Sequence, residues 1–189
     1  MAKRRPRRLH VCSDETGQDT SGEFFLVATV IVEGVREELV EWLEECERKI
    51  DQPRCTRAEF ERRYSEAVLT SRRLHGAMFY STYSATTAYR DCTITSIQRA
   101  LHVIAPDRDY EADIVVDGLN PSDIRRFASE LRGRGIPAHR VRGARDEADA
   151  MTRLADSLAT FARAGSRGHR SAIFDRFERL VHRRAIRKV

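Results

Sequence analysis

The chain has 189 residues, which predicts one domain, and 41% of them are hydrophobic, enough for an ordinary core. No run of about 18 apolar residues occurs, so we expect no membrane span. The charged first residues lack the apolar stretch of a secretory signal. The formal net charge is +5. We therefore expect a cytoplasmic protein whose partner is anionic, with nucleic acid the first candidate.

Basic residues are unevenly distributed and are nearly all arginine. They crowd residues 1–8 and the segment 163–188. The planar guanidinium group suits phosphate oxygens, so this distribution favours nucleic-acid contact. A codon bias toward arginine and merely solubilising tails are the alternatives. The four cysteines form no Cys-x-x-Cys pair, which argues against a zinc knuckle or a redox motif.

The first half of the chain predicts a flexible basic arm, two strands and two helices. Residues 1–8 form the arm, and a short apolar strand follows over about 9–14. A second strand, over about 23–33, is apolar on both faces and should be central in a sheet. A helix over 36–50 carries an apolar stripe, and a second helix is expected over 57–69.

The second half of the chain alternates strands with helices. The sequence predicts strands over 76–84, 112–117 and 137–142, and helices over 86–104, 120–132, 146–164 and 170–187. A tight turn between the first two strands makes them antiparallel, whereas strands separated by helices pair in parallel. The fold class is therefore α/β, with a mixed sheet of about five strands flanked by helices. We expect one domain over residues 9–189, with a helical insertion around 36–75.

Two aspartates end predicted strands, where sheets of this type bind ligands. Asp14 ends the first strand and is followed by Glu15, and Asp117 ends the fourth. If these strands are neighbours, the two carboxylates repel each other unless a divalent cation lies between them. The alternatives are an acidic turn that faces water at Asp14 and ordinary turn chemistry at Asp117-Gly118.

The helix predicted over 146–164 carries three aspartates. Asp146 can cap the helix and Asp149 then occupies its third position, so both have structural explanations. Asp149 and Asp156 share the face opposite the apolar stripe, which is typical of a solvated surface. The alternative is a helix that packs on the sheet through one side and offers Asp156 to a surface cleft.

Four short motifs resemble the bacterial, archaeal and phage family catalogued as domain of unknown function thirty-eight hundred. Its Asp-Glu-Ser-Gly motif reads Asp14-Glu15-Thr16-Gly17 here, followed by the apolar strand Phe24-Phe25-Leu26-Val27-Ala28. A later strand ends as Val115-Val116-Asp117, and an Ala-Asp pair stands in Leu154-Ala155-Asp156. Serine is replaced by Thr16, which keeps the hydroxyl group.

The resemblance implies a ribonuclease H-like fold and a metal-dependent nuclease. It implies Asp14, Asp117 and Asp156 as ligands of Mg²⁺ or Mn²⁺, in a site that holds two ions about 3.5–4 Å apart. Glu15 is a further catalytic candidate and Asp149 a further metal ligand. Terminal arginines would hold the phosphate backbone. The alternatives are an inactive nucleic-acid-binding module, or a regulatory or interaction subunit of a mobile-element or defence system.

Overall fold

The computed structural model describes residues 6–17, 24–84, 88–144, 149–167 and 171–189. Its strands are β1 (Arg7–Thr16), β2 (Phe25–Glu33), β3 (Met78–Tyr83), β4 (Tyr110–Asp117), β5 (Ala138–Ala144) and β6 (Ile186–Lys188). Its α-helices are α1 (Arg36–Ile50), α2 (Arg57–Ala67), α3 (Tyr89–Ile104), α4 (Ile124–Gly133), α5 (Ala150–Ser166) and α6 (Ala172–His182). Within these described ranges, no helix is long and apolar enough to cross a membrane.

The strands form one mixed sheet in the order β5-β4-β1-β2-β3-β6. Strand β2 pairs antiparallel with β1 and with β3. The β1–β2 connection is short, as in a hairpin, but α1 and α2 stand between β2 and β3, so the expectation that strands separated by helices pair in parallel is wrong for this pair. Strand β4 joins the other side of β1 in parallel, and β5 joins β4 in parallel. Strand β6 pairs in parallel with β3 at the far edge. The prediction of a mixed sheet is confirmed, with one strand more than expected.

Helices cover the two faces of the sheet and divide the core into layers. Cys12 and Val115 pack in the cluster that contains Leu154 of α5. Their neighbours Val11 and Ile114 point to the opposite face, where α3 and α4 pack. This alternation follows from the two-residue period of a strand. The alternation assigns each residue of β1 and β4 to one face of the sheet. Only acidic side chains on the same face can therefore lie next to each other.

Helix α5 lies across β1 and β2 and is the most buried helix of the fold. The Oγ1 atom of Thr152 lies 3.5 Å from the Sγ atom of Cys12. Further along the helix, Arg163 donates a hydrogen bond of 3.0 Å to the carbonyl oxygen of Phe24, beside the end of β1. The helix therefore runs in the same direction as β1, with its first turn over the middle of that strand.

Several predicted boundaries differ from the structure. Arg7 and Arg8 belong to β1, where they pair with Glu33 and Asp113, so the basic arm ends before residue 7. Residues 1–5 lie outside the described residues. The helix predicted from 120 begins at Ile124, because a turn over Asn120-Pro121 comes first. The segment predicted as the insertion holds α1, α2 and a short 3-10 helix over Arg72–Leu74.

The predicted helix over 170–187 was wrong at its end. Helix α6 stops at His182, and the backbone of Arg184 takes a positive φ of 56°, which turns the chain into β6. Ile186 is fully buried in the core beside Met78. A non-glycine residue with positive φ carries no clear sequence signal, and a three-residue strand is too short to show alternation.

Candidate functional site

Asp14 and Asp117 lie side by side on neighbouring strands. Ser13 pairs with Val116 in the parallel register of β1 and β4, so the next position on each strand is an aspartate. The alternation of the strands turns both side chains toward the face that α5 covers. Adjacent strands are about 4.8 Å apart, so the two aspartates occupy neighbouring positions on this face. The condition set by the sequence analysis, that these two strands are neighbours, is therefore met.

Asp14 is a buried acid in an otherwise apolar strand environment. Only 6% of its surface is exposed, and its partners on β1 and β2 include Cys12 two residues before it and Ala28 opposite it. Burying a carboxylate costs free energy unless charges or hydrogen-bond donors compensate. Asp117 is half-buried at the last position of β4, and its Oδ1 atom is shielded from solvent. Asp117 is therefore the more exposed residue of the pair.

Asp156 lies level with Asp14 but on a different surface. It is one helical turn beyond Thr152, whereas Asp14 is two residues beyond Cys12, and both steps advance about 6–7 Å in the same direction. The side chain of Asp156 lines a crevice between α2 and α5, together with Arg62. Burial raises the pKa of the nearby Tyr64 hydroxyl, and the negative charge of Asp156 raises that pKa further. As placed, Asp156 faces α2.

Glu15 lies on the opposite face of the sheet from Asp14. Its carboxylate accepts a hydrogen bond of 2.6 Å from the hydroxyl of Thr93 in α3. It also lines a groove between α3 and α4 that contains Arg90 and Arg134. Because successive residues of a strand alternate between faces, Glu15 does not join the Asp14–Asp117 pair.

Asp149 is the N-cap of α5, not the third residue of its first turn. Its Oδ1 atom accepts a hydrogen bond of 2.9 Å from the backbone N–H of Met151. Its Oδ2 atom accepts from Arg36 and, at 3.1 Å, from Arg142. One buried carboxylate thus holds a helix start and two guanidinium groups. Asp146, which the sequence suggested as the cap, lies outside the described residues.

A polar cluster on β1, β4 and β5 was missed by the sequence analysis. Asp113 accepts two hydrogen bonds from Arg8, at 3.0 and 2.7 Å, and its other oxygen lies 3.0 Å from Nδ1 of His139. His10 is also close, with Nδ1 3.9 Å from Asp113. A register shift between β4 and β5 turns His139 toward this acid. An irregular pairing of that kind leaves no mark in the sequence.

The charges of this cluster shift the pKa of its members. Burial acts to raise the pKa of Asp113, but the hydrogen bonds from Arg8 and His139 outweigh it and the pKa is lowered. Burial lowers the pKa of His10, against the attraction of Asp113. Next to them, burial raises the pKa of the Cys12 thiol to about 12. Cys12 therefore stays protonated at neutral pH, as a buried apolar side chain does.

The paired carboxylates are ligands of the kind that a hard divalent cation takes. Oxygen ligands without a soft partner suit Mg²⁺ or Mn²⁺, and adjacent carboxylates are stabilised when a cation neutralises their repulsion. Among the described residues, no group of three or more His, Cys, Asp or Glu side chains converges closely enough to hold a metal ion. The fit therefore rests on the pair Asp14 and Asp117.

Comparisons with known proteins identify similar folds. Neither a family model nor a curated protein sequence matches the chain. Among solved structures, ribonuclease H2 from Pyrococcus horikoshii is similar with a TM-score of 0.51 and 16% identity, over 92% of this chain and 76% of that one. A chain of the PCNA–RNase HII complex from Archaeoglobus fulgidus is similar with a TM-score of 0.49 and 16% identity, over 93% of this chain and 77% of that one.

The similarity to the Pyrococcus protein extends over 92% of the chain, so it includes most of the mixed sheet and its helices. Three antiparallel strands are followed by two parallel ones on the other side of β1, and helices lie on both faces. At 16% identity, the similarity to the Pyrococcus protein concerns the fold, since function depends on the particular side chains of a site. The chain has a ribonuclease H-like fold, as the sequence predicts.

Proposed function

We propose that this protein is a nuclease that hydrolyses phosphodiester bonds with the help of Mg²⁺ or Mn²⁺. The observation that supports the proposal is the pair Asp14 and Asp117, side by side on two neighbouring parallel strands and on one face of the sheet. A structural role alone does not call for two adjacent carboxylates at this place, because their repulsion opposes folding. The ribonuclease H-like fold supports the choice of substrate by analogy only.

Each acid would have a definite role in the reaction. Asp14, which is held rigidly in the central strand, would fix the cation, and Asp117 at the strand end would complete its coordination toward solvent. A bound divalent cation would polarise a phosphoryl oxygen and lower the pKa of a water molecule. The walls of the sheet and α5 would exclude bulk water from the buried side of the substrate.

We propose Asp156 as a third, more distant contributor. It lies level with Asp14 along α5, although its side chain lines the crevice beside α2. A change of rotamer would be needed to turn it toward the pair. Glu15 and Asp149 are not included, since one is bonded to Thr93 and the other to two arginines.

The proposal is tested with Asp14→Asn and Asp117→Asn, which keep shape while removing charge. Wild-type protein should cleave at least one of single-stranded DNA, RNA, duplex or hybrid in Mg²⁺ or Mn²⁺. Each variant should lose about 10²-fold or more of the rate, as expected when a group that stabilises transition-state charge is removed. Glu111→Gln, an exposed acid on β4, is the matched control and should keep full activity.

A second readout does not depend on turnover. Calorimetric binding of Mn²⁺ should be weakened by both aspartate substitutions and not by Glu111→Gln. Their melting temperatures in EDTA should be unchanged or raised, because one carboxylate repulsion is relieved. If the wild-type protein cleaves none of these substrates and binds no Mn²⁺, the nuclease proposal is wrong.

Two other functions remain as distinct outcomes. An inactive nucleic-acid-binding module would show salt-sensitive binding without cleavage, and it would tolerate both aspartate substitutions. A regulatory or interaction subunit would show neither binding nor cleavage. A cavity near the acid pair is lined by Arg36, Arg140 and Arg142, which favours the nucleic-acid-binding module over the interaction subunit.

A further inference from the structure

A cavity of about 510 Å³ lies on the same face of the sheet as the acid pair, and its lining reaches Cys12 and Val115, two residues before Asp14 and Asp117. It opens where β4 and β5 extend beyond α5, which packs mainly on β1 and β2. Helix α4 covers β5 from the opposite face, with Phe127 and Leu131 in the core there. The α5 side of β5 is therefore left without an extensively packed helix among the described elements.

Arginines dominate the polar lining of this cavity. Cys12, Val115 and Arg142 form one row across β1, β4 and β5, and all three line the cavity. The next row on the same face contains Asp14 and Asp117. Rows on one face are about 7 Å apart, so a chain of phosphates that runs from the acid pair toward the cavity along this face would come within reach of Arg142.

Asp149 holds two of the arginines in place at the cavity wall. Arg36 and Arg142 share its Oδ2 atom, and the side chain of Asp149 itself is only 8% exposed. A guanidinium group has five N–H donors, so one shared carboxylate leaves most donors of both groups available to another anion. The two arginines are therefore fixed in orientation and still have donors to offer.

Arg140 is the clearest unpaired cation of the cavity. It lies on β5 two residues before Arg142, is exposed, and pairs in register with Asp113. Asp113 is already occupied by Arg8 and His139. Within the described part of the chain, Arg140 makes no ion pair, so its charge is not used to stabilise the fold.

We infer that this cavity, which we call the basic cavity and define by Arg36, Arg140 and Arg142, binds the phosphodiester backbone of a nucleic acid next to the acid pair. The inference rests on the proposed function for its choice of ligand. Backbone contacts by arginine position the strand without reading its sequence. Glu37 and Asp113 limit the net charge of the cavity, which favours a polyanion held at several points over a single free phosphate.

The test measures binding without cleavage. Labelled single-stranded DNA, single-stranded RNA and duplexes are titrated in EDTA, with Arg140→Ala compared with Arg125→Ala. Arg125 is an exposed arginine of α4, which packs on the opposite face of the sheet. Its replacement removes the same single positive charge as Arg140→Ala, but away from the basic cavity. Both variants should keep the wild-type melting temperature, since neither side chain makes an ion pair among the described residues.

Arg140→Ala should weaken binding about tenfold at low salt, as for loss of one charged hydrogen bond. Its salt dependence should fall by roughly 0.7–0.9 in the slope of log affinity against log salt. Arg125→Ala should do neither. The inference is overturned if the two variants weaken binding equally. It is also overturned if inorganic phosphate displaces the labelled oligonucleotide as well as unlabelled oligonucleotide does at the same concentration of phosphate groups.

Failure of the proposed function would look different. If the protein binds through Arg140 but never cleaves with metal, the basic cavity stands and the nuclease proposal falls. If the protein cleaves with metal and Arg140→Ala binds like Arg125→Ala, the nuclease proposal stands and the inference about the basic cavity falls.

Discussion

Asp149 shows how much one side chain contributes to this fold. It caps α5 through Met151 and joins Arg36 from α1 to Arg142 from β5. A buried carboxylate with three donors is well compensated, whereas the two arginines would lose a shared partner without it. The residue therefore couples the start of a helix, the start of another helix and an edge strand.

Replacing Asp149 should be costly in a graded way. Asp149→Ala removes the cap and both ion pairs and should lower the free energy of unfolding by about 2–4 kcal/mol. Asp149→Asn keeps an oxygen for the N–H of Met151 and should cost less, about 1–2 kcal/mol. Urea denaturation followed by circular dichroism measures both values.

The comparison variant is Ser171→Ala, which removes the N-cap of α6. The Ser171 hydroxyl accepts a hydrogen bond of 3.2 Å from the backbone N–H of Phe174 and makes no ion pair within the described ranges, so its loss should cost about 1 kcal/mol. If Asp149→Ala costs no more than Ser171→Ala, the arginine contacts contribute nothing to stability.

For single residues, the sequence reveals a role only where the local pattern of the surrounding strand indicates it. Asp14 and Asp117 are recognisable because each follows an apolar run, and strand order then brings them together. The partners of Asp149 are remote in sequence, at positions 36 and 142, so no local pattern reveals them. The spacing that makes Asp149 resemble a solvated acid says nothing of which elements pack over it.

Among the helices, the contact between α5 and α6 depends on a single missing side chain. Gly165 near the end of α5 lies against the ring of Phe177, and a Cβ atom there would overlap that ring. Phe177 also packs edge-on to Tyr80 and Phe161. The close approach of the two helices thus places an aromatic cluster against β3.

Gly165→Ala should destabilise the protein although alanine favours helices. Overpacking a filled core typically costs about 1–3 kcal/mol, which exceeds the helix propensity gain of roughly 1 kcal/mol. The control is Gly133→Ala at the end of α4, where a Cβ atom meets nothing within 4 Å. It should be neutral or stabilising. Thermal unfolding of both variants decides, and a stabilised Gly165→Ala would contradict this packing.

Elements with strong periodicity were predicted well, and the connections between them were not. Helix α1 matches its predicted span over 36–50 because its apolar stripe is regular and Gly34 precedes it. The start of α5 was placed too early, because Asp146 and Asp149 both resemble caps. Strand β6 depends on the backbone turn at Arg184 and on pairing with β3, and neither is visible in residues 183–188 alone.

The distribution of charge over the whole molecule differs from the pattern along the chain. Several arginines of the terminal segments serve the fold: Arg7 pairs with Glu33, Arg176 with Glu66, and Arg163 is buried beside Phe24. The basic cavity instead takes Arg36, Arg140 and Arg142 from between the two terminal segments, and Arg8 of the first segment also lines it. The terminal runs of arginine are therefore an incomplete guide to the surface that meets an anion.

Deleting residues 2–5 should test the part of the arm that lies before β1. The deletion removes Lys3, Arg4 and Arg5 and leaves Arg7 and Arg8 in their strand. If the three cations contact phosphates, the slope of log affinity against log salt should fall by about 0.7–0.9 for each contact. The melting temperature should not change, because no described contact is removed.

Extending the deletion to residue 8 is the contrasting variant. It removes the ion pairs of Arg7 with Glu33 and of Arg8 with Asp113, together with the first two residues of β1. That protein should melt at a lower temperature. An unchanged salt slope after deletion of 2–5 would identify the arm as a passive solubilising segment.

Strand β6 has a consequence for how the chain reaches its folded state. Its residues pair with β3 about a hundred positions earlier, and Ile186 completes the core beside Met78. The β1–β2 hairpin closes a short loop and can form early, whereas this long-range pairing must wait for the intervening helices. Until β6 docks, β3 presents an unpaired, apolar edge of the kind that templates aggregation. A truncation before residue 186 would leave the edge of β3 permanently exposed. The truncated protein should therefore self-associate through that edge.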